Sequence, residues 1–161
     1  CRGDRIVNAP AVTQIAAQDE AARERGAGGT VGGGRLTDGA PAAGHFFAPT
    51  VLTGITPDMR IYREEALGPV APVISYDDVD QVIDLANDTD YGLAAYVYTN
   101  QMSTALRAFE GLRFGIIGIN AVNPTSASVP FGGMGDSGIG REGGHEGINE
   151  YLETKTGGFA I

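Results

Sequence analysis

The sequence has a single cysteine, Cys1, in 161 residues, and no tryptophan. One thiol cannot close an internal disulfide, so the disulfide-stapled secreted scaffolds are excluded. Cations are also scarce. Lys and Arg number 11 against 20 Asp and Glu, a net charge of −9. Nucleic acids and anionic membranes are gripped by clustered Lys and Arg, so neither is an expected partner. Long apolar runs are missing too. Ala94 to Val97 and Ile116-Ile117 are short, where a membrane-spanning helix needs ~20 apolar residues. The opening Cys1-Arg2-Gly3-Asp4-Arg5 has no apolar region of a signal peptide. The expectation is a cytoplasmic protein. The Arg-Gly-Asp triplet reads as chance in an acidic loop, and the missing initiator Met as the mark of a piece of a longer chain.

What is present is enough for a core. Hydrophobic residues make up 42% of a chain of one-domain length. Glycine is in excess, 25 residues, about twice the usual ~7%. The glycines gather at 26–34 and 132–147 without a three-residue period, which calls for turns and close backbone approach.

The periodicity predicts a helix over 11–25, with Pro10 at its start and Gly26 stopping it. A short strand is expected near Thr30-Val31. Residues 46–52 are β-prone, but Pro49 demotes them to an edge strand or an irregular segment. A short helix is expected over 59–66 and a strand over 71–76. Val79, Val82, Ile83 and Ala86 fall at i, i+3, i+4 and i+7 behind Asp77-Asp78, a capped amphipathic helix over 79–87. A strand over 93–98, a helical stripe of Met102, Ala105, Leu106, Phe109 and Leu112, and a strand over 115–120 follow. A helix over 146–152 and a final strand over 158–161 complete the chain. The alternation of strand and helix across 73–119 predicts α/β architecture with parallel βαβ units.

Two glycine patterns mislead. Gly138-Ile139-Gly140-Arg141-Glu142-Gly143 fits G-x-G-x-x-G, yet a glycine-rich loop precedes it where a dinucleotide fingerprint needs a strand. Gly135-Asp136-Ser137-Gly138 has the look of a protease nucleophile stretch. The histidines, His45 and His145, have no evident orienting partner. A serine ordering a turn through its hydroxyl is the reading preferred here. No metal-ligand spacing is present, and Asp77, Asp78 and Asp80 read as acids at a helix N-terminus.

Several ordered motifs resemble one family. Arg63-Glu64-Glu65-Ala66-Leu67-Gly68-Pro69-Val70 is similar to the E-E-x-F-G-P-V element of the NAD(P)-dependent aldehyde dehydrogenases. Pro130-Phe131-Gly132-Gly133, then Ser137-Gly138-Ile139-Gly140-Arg141-Glu142, resembles their P-F-G-G-x-x-x-S-G-x-G-R-E element. Ala86-Asn87-Asp88-Thr89, Tyr91-Gly92-Leu93-Ala94-Ala95, Gly118-Ile119-Asn120 and Glu150-Tyr151-Leu152-Glu153-Thr154-Lys155 fall in family order between and after them. The match runs from about Ala11 to the end and covers the family's C-terminal third. It is closest to the succinate-semialdehyde dehydrogenase-like branch.

The resemblance implies a parallel α/β partial catalytic domain over 1–155 and an oligomerisation tail over 156–161. It implies oxidation of a small-molecule aldehyde, possibly a semialdehyde, to a carboxylate, with NAD or NADP as cofactor. In the family a thiolate attacks the aldehyde, hydride leaves to the nicotinamide, and a Glu-activated water cleaves the thioester. The nucleophile, that base and the dinucleotide domain belong to a part of the family chain that this sequence does not match. No catalytic residue is therefore assigned, and the chain alone is expected to be inactive. Cys1 lacks the neighbours of the family nucleophile. By resemblance Glu65 hydrogen-bonds the nicotinamide ribose, its carboxylate accepting two hydroxyls. Leu67 stands where the family has a Phe near the nicotinamide. Phe131 and the loop from Asn120 to Val129 would line the aldehyde tunnel, with Thr125 or Ser126 at the substrate's distal carboxylate. The resemblance also implies a homo-oligomer, with the tail pairing onto a neighbouring subunit. Two alternatives stay open, a non-catalytic assembly module and a small hydrolase using Ser137.

Overall fold

The computed structural model describes residues 4–37 and 44–160. Cys1 and Ile161 lie outside them. The chain forms two compact units, Cys1–Tyr76 and Asp77–Ile161.

The first unit is built on one long helix, α1 (Ala9–Glu24). Asn8, in extended backbone, accepts the Ala11 N–H at 2.9 Å and caps it. Gly26 ends it in left-handed conformation (φ 96°), with Gly26 N–H on Arg23 O and Ala27 N–H on Ala22 O. This is a Schellman closure, which a glycine accommodates without strain. The buried face carries Ala11, Val12, Ile15, Ala22 and two polar residues, Gln18 and Asp19.

Short strands complete this unit. β1 (Asp4–Arg5) pairs antiparallel with β3 (Phe46–Phe47). β2 (Gly28–Val31), β4 (Thr50–Thr53) and β5 (Val70–Pro72) form a sheet in the order β2-β4-β5, with β4/β5 parallel. The expected edge role for residues 46–52 is thus corrected. Pro49 sits in the break between β3 and β4, so its missing N–H costs no ladder bond, and β4 becomes the central strand. Leu52 and Thr50 point inward. The Thr50 hydroxyl donates to Ala48 O at 2.7 Å and accepts Gly33 N–H at 2.9 Å, which satisfies it where it is buried. The core joins Ile6, Val12, Ile15, Phe47, Leu52, Ile55, Met59, Ile61 and Val70. A single turn, α2 (Arg60–Arg63), leads out to residues 64–69.

In the second unit α3 (Val79–Asn87) starts as the sequence predicts, with Asp78 accepting Gln81 N–H at 2.9 Å. β6 (Tyr91–Gly92) and β9 (Met134–Gly135) pair antiparallel. β7 (Ala94–Val97), α4 (Met102–Gly111) and β8 (Ile116–Ile119) make a βαβ step, with β7 and β8 parallel in the register Ala94↔Ile116 to Val97↔Ile119. The α/β class with parallel strands therefore holds. The run of strands is divided between two sheets, β5 pairing with β4 and β7 with β8.

Two expectations are corrected here and one is made more specific. The α4 stripe does not all face a core. Ala105 and Ala108 are buried, while Met102, Leu106 and Phe109 are exposed. At the end of α4 Gly111 lies so close to α3 that a Cβ there would meet the Ile83 side chain at 3.1 Å, and among the described residues no second layer covers the bulky side of α4. The helix expected over 146–152 is present as a 3-10 helix (Glu146–Tyr151) with no buried residue. Gly147 lies inside it, and Gly143 and Gly144 have positive φ just before it. Residues 158–160 form no strand, since among the described residues they have no partner to pair with.

Candidate functional site

Glu64 and Glu65 adjoin in sequence at the exit of α2 and are treated differently by the fold. Arg60 Nε donates to both Glu64 oxygens at 2.7 Å, one turn apart. That guanidinium holds the Glu64 carboxyl below its ordinary range. The Glu65 carboxylate is exposed, and among the described residues no hydrogen bond or ion pair engages it. One acid is committed to structure and the next is free to accept from outside.

The backbone beneath Glu65 is anchored. Gln18 Nε2 donates to Glu64 Oε2 at 3.3 Å and to the Glu65 carbonyl at 3.4 Å. Leu67 is exposed beside it, and Gly68 lies so close to α1 that a Cβ there would meet the Ile15 side chain at 3.2 Å. Gln18 carries no motif, and the signal for it in the sequence is its position, a polar residue in the stripe Val12, Ile15, Ala22 that faces the core.

The second unit holds a cavity of about 670 Å³ lined by Phe131, Ser137, Ile139, Arg141, Glu150 and Tyr151 among others. Phe131 is held by a two-bond bridge, its N–H to Glu142 O at 2.7 Å and Glu142 N–H to its carbonyl at 2.8 Å. Arg141 is tied to the backbone of the glycine-rich loop through one nitrogen. Its Nη1 donates to the carbonyls of Gly133 at 2.9 Å and Gly140 at 2.7 Å. The glycines around it pack where no side chain fits. A Cβ on Gly133 would meet the Ser137 Cβ at 2.5 Å, and one on Gly140 the Glu150 carboxylate at 2.7 Å.

Of the other candidate binding residues, Glu65, Leu67, Asn120, Thr125 and Ser126, none lines this cavity. Asn120 follows β8 with φ 52°, and its amide is taken at both ends by Thr99. Its Oδ1 accepts Thr99 N–H at 2.9 Å, and its Nδ2 donates to Thr99 O at 2.8 Å. Thr125 donates to Asn123 Oδ1 at 2.9 Å. The exposed Ser126 shares a 3.0 Å hydroxyl pair with Ser128. Glu65 and Leu67 belong to the first unit, and Asn120, Thr125, Ser126 and Phe131 to the second. The Ser137 hydroxyl accepts a backbone N–H, that of Gly92, which is the turn-ordering role and not an imidazole contact. Among the described residues no group of three or more His, Cys, Asp or Glu could hold a metal ion. No helix among them is long and apolar enough to cross a membrane.

The model of the aldehyde dehydrogenase family matches residues 5–157. A non-phosphorylating aspartate-semialdehyde dehydrogenase of Halomonas elongata is 47% identical over 150 residues, 93% of this chain and 30% of that protein. A probable succinate-semialdehyde dehydrogenase [NADP(+)] of Sinorhizobium fredii is 42% identical over 93% of this chain and 30% of its own length. Among solved structures, the succinate-semialdehyde dehydrogenase of Burkholderia pseudomallei superposes with a TM-score of 0.83 at 41% identity, covering 91% of this chain and 30% of that one. The chain thus spans about 30% of the length of these relatives.

Proposed function

This chain belongs to the aldehyde dehydrogenase family, and from that premise we propose that the protein carrying it oxidises an aldehyde, a semialdehyde by preference, to the carboxylate with NAD or NADP. The balance is simple. The aldehyde carbon loses a hydride to the nicotinamide and gains an oxygen from water, with two protons released as the carboxylate forms. Bound NAD(P) supplies the hydride acceptor. The observation that carries the reading is the sorting of the two adjacent acids. Glu64 is consumed by Arg60, while Glu65 is exposed, unengaged and backbone-anchored. An exposed carboxylate held in place fits a pair of vicinal ribose hydroxyls, each donating to one oxygen.

In this reading Leu67 gives apolar contact beside the nicotinamide. Phe131 is a wall of the aldehyde passage, with Asn120 shaping the start of the loop behind it. The Thr125 and Ser126 hydroxyls, now bonded only to loop neighbours, turn to the distal carboxylate of a semialdehyde. The preference for semialdehydes draws support from the names of the two relatives above. The nucleophile and base come from outside this stretch, so the 161 residues alone give no turnover. The protein assembles as a homo-oligomer, for which the exposed tail is suited.

The test is nicotinamide absorbance with the intact protein, NAD+ or NADP+, and a panel of plain aldehydes and semialdehydes. Oxidation of semialdehydes is expected, and Glu65→Gln should weaken NAD(P)H binding about tenfold, ~1.4 kcal/mol. No NAD(P)-dependent oxidation of any aldehyde would overturn the function. Unchanged binding in Glu65→Gln would overturn the role of Glu65.

A further inference from the structure

Gln18 is 0% exposed, on the face of α1 that packs into the core of the first unit. A primary amide in such a place costs free energy unless its polar atoms are bonded. Only one end is. Nε2 donates to Glu64 Oε2 and to the Glu65 carbonyl, while Oε1 is buried without a partner. The opposite orientation of the amide would aim its oxygen at two acceptors, so the chemistry fixes which end faces residues 64–65. An apolar side chain of similar volume would fill the same space and leave no orphaned acceptor. What the amide adds is its grip on two consecutive residues.

That grip falls at a junction. Glu64 ends α2 in extended backbone, φ −102° and ψ 141°, and the chain then runs without helix or strand to β5. α1 holds this segment at two points, by the Gln18 amide at Glu64 and Glu65 and by the close packing of Gly68 on Ile15. The Glu65 carboxylate projects from between them.

We propose that Gln18 is a positioning residue for Glu65, its buried amide fixing the 64–65 backbone so that the Glu65 carboxylate is presented to the ribose hydroxyls of the dinucleotide. This rests on the reading of Glu65 given above. Gln18 touches neither cofactor nor substrate and acts through the backbone it holds.

The experiment uses the intact protein and Gln18→Met, which keeps length and volume and removes both donors. Calorimetric titration gives the Kd for NAD(P)H, and kinetics give the KM for the aldehyde. The Kd should rise about fivefold while the aldehyde KM stays within about twofold; in a Glu65→Ala background the same substitution should add less than about twofold, as expected when one residue acts through the other. Should Gln18→Met not fold, Gln18→Leu, which also lacks the donors, is judged by the same measures. An unchanged Kd, a parallel rise in the aldehyde KM, or a full additive effect in the Glu65→Ala background each overturns the proposal. Glu65→Ala alone leaving the Kd unchanged removes the reading of Glu65 instead, so the two failures are told apart.

Discussion

The Ser137 hydroxyl accepts the backbone N–H of Gly92 at 3.0 Å, tying the glycine-rich turn to β6. Gly92 is buried, and a Cβ there would meet the Arg113 carbonyl at 2.8 Å, so its N–H has little freedom to find water. Removing the hydroxyl orphans a buried donor, which costs ~1–3 kcal/mol. Ser137→Ala should therefore lower the unfolding temperature by several degrees. Any hydrolysis of p-nitrophenyl acetate should persist in it. Loss of that hydrolysis in a variant that is still folded would promote the hydrolase alternative.

Asn87 makes a second such tie. Its Nδ2 donates to Gly111 O at 2.8 Å, and its Oδ1 accepts Arg113 N–H at 2.8 Å, so one side chain joins the end of α3 to the exit of α4. Asn87→Ala removes a part-buried and an exposed bond and should cost about 1–2 kcal/mol. Asn87→Asp keeps the acceptor and should cost less. Chemical denaturation of the three proteins gives the order; equal midpoints would show that water replaces both bonds.

How far the sequence could be read follows from the range of the forces involved. α3 was legible to the residue, because its apolar spacing and the Asp78 cap are local. The Gly26 stop of α1 was legible for the same reason, a left-handed position that suits glycine. The central place of β4 was not, since Pro49 reads as a breaker until the break is seen to fall between two strands. Nor was the exposed side of α4. Its stripe is continuous in sequence, and only packing decides that the alanines go inward. At the candidate site the motif picked out Glu65, and Arg60, four residues before Glu64, is a local partner for the other acid. The anchoring of both residues by Gln18, 46 residues away from Glu64, is encoded by no local pattern.

Two glycines of the second unit should respond in opposite degree to alanine. A Cβ on Gly115 would lie 1.9 Å from the Gly132 carbonyl oxygen, backbone against backbone with no flexible end to yield. Gly138 has φ 111° and nothing within 4 Å of the added atom. Gly138→Ala thus carries only the conformational penalty, ~1–3 kcal/mol. Gly115→Ala forces the two segments apart and should cost more than ~4 kcal/mol, among the largest effects of a point change. Thermal melts distinguish them, and equal losses would contradict the close approach.

Acid stability should depend on Glu64. Its carboxyl lies below the ordinary value of 4.5, first because Arg60 hydrogen-bonds the ionised form. A depressed carboxyl contributes stability above that ordinary value and loses it as the pH falls through the lower folded-state value. The loss therefore falls below about pH 4.5. Asp58, lowered mainly by its bond with the Thr56 hydroxyl, adds to the same limb. Glu64→Gln should flatten the fall in denaturation midpoint between neutral and acid pH without abolishing it. An unchanged slope would mean that the Arg60 pair is not formed in solution.

The tail offers the last test, that of assembly. Residues 152–160 are exposed and carry no regular structure in the single chain, and Phe159 is 95% exposed. A large aromatic left in water forgoes ~2–3 kcal/mol that burial would return. An extended segment with unpaired N–H and C=O groups is also a template for strand addition. Gly157 and Gly158 give the chain freedom to swing the apolar end onto a neighbour. We expect the intact protein to be at least a dimer, and a version ending at Lys155 to dissociate toward monomer at the same concentration. Light scattering on both decides it. An intact monomer would refute assembly, while an oligomer indifferent to truncation would leave assembly standing and take the tail out of it.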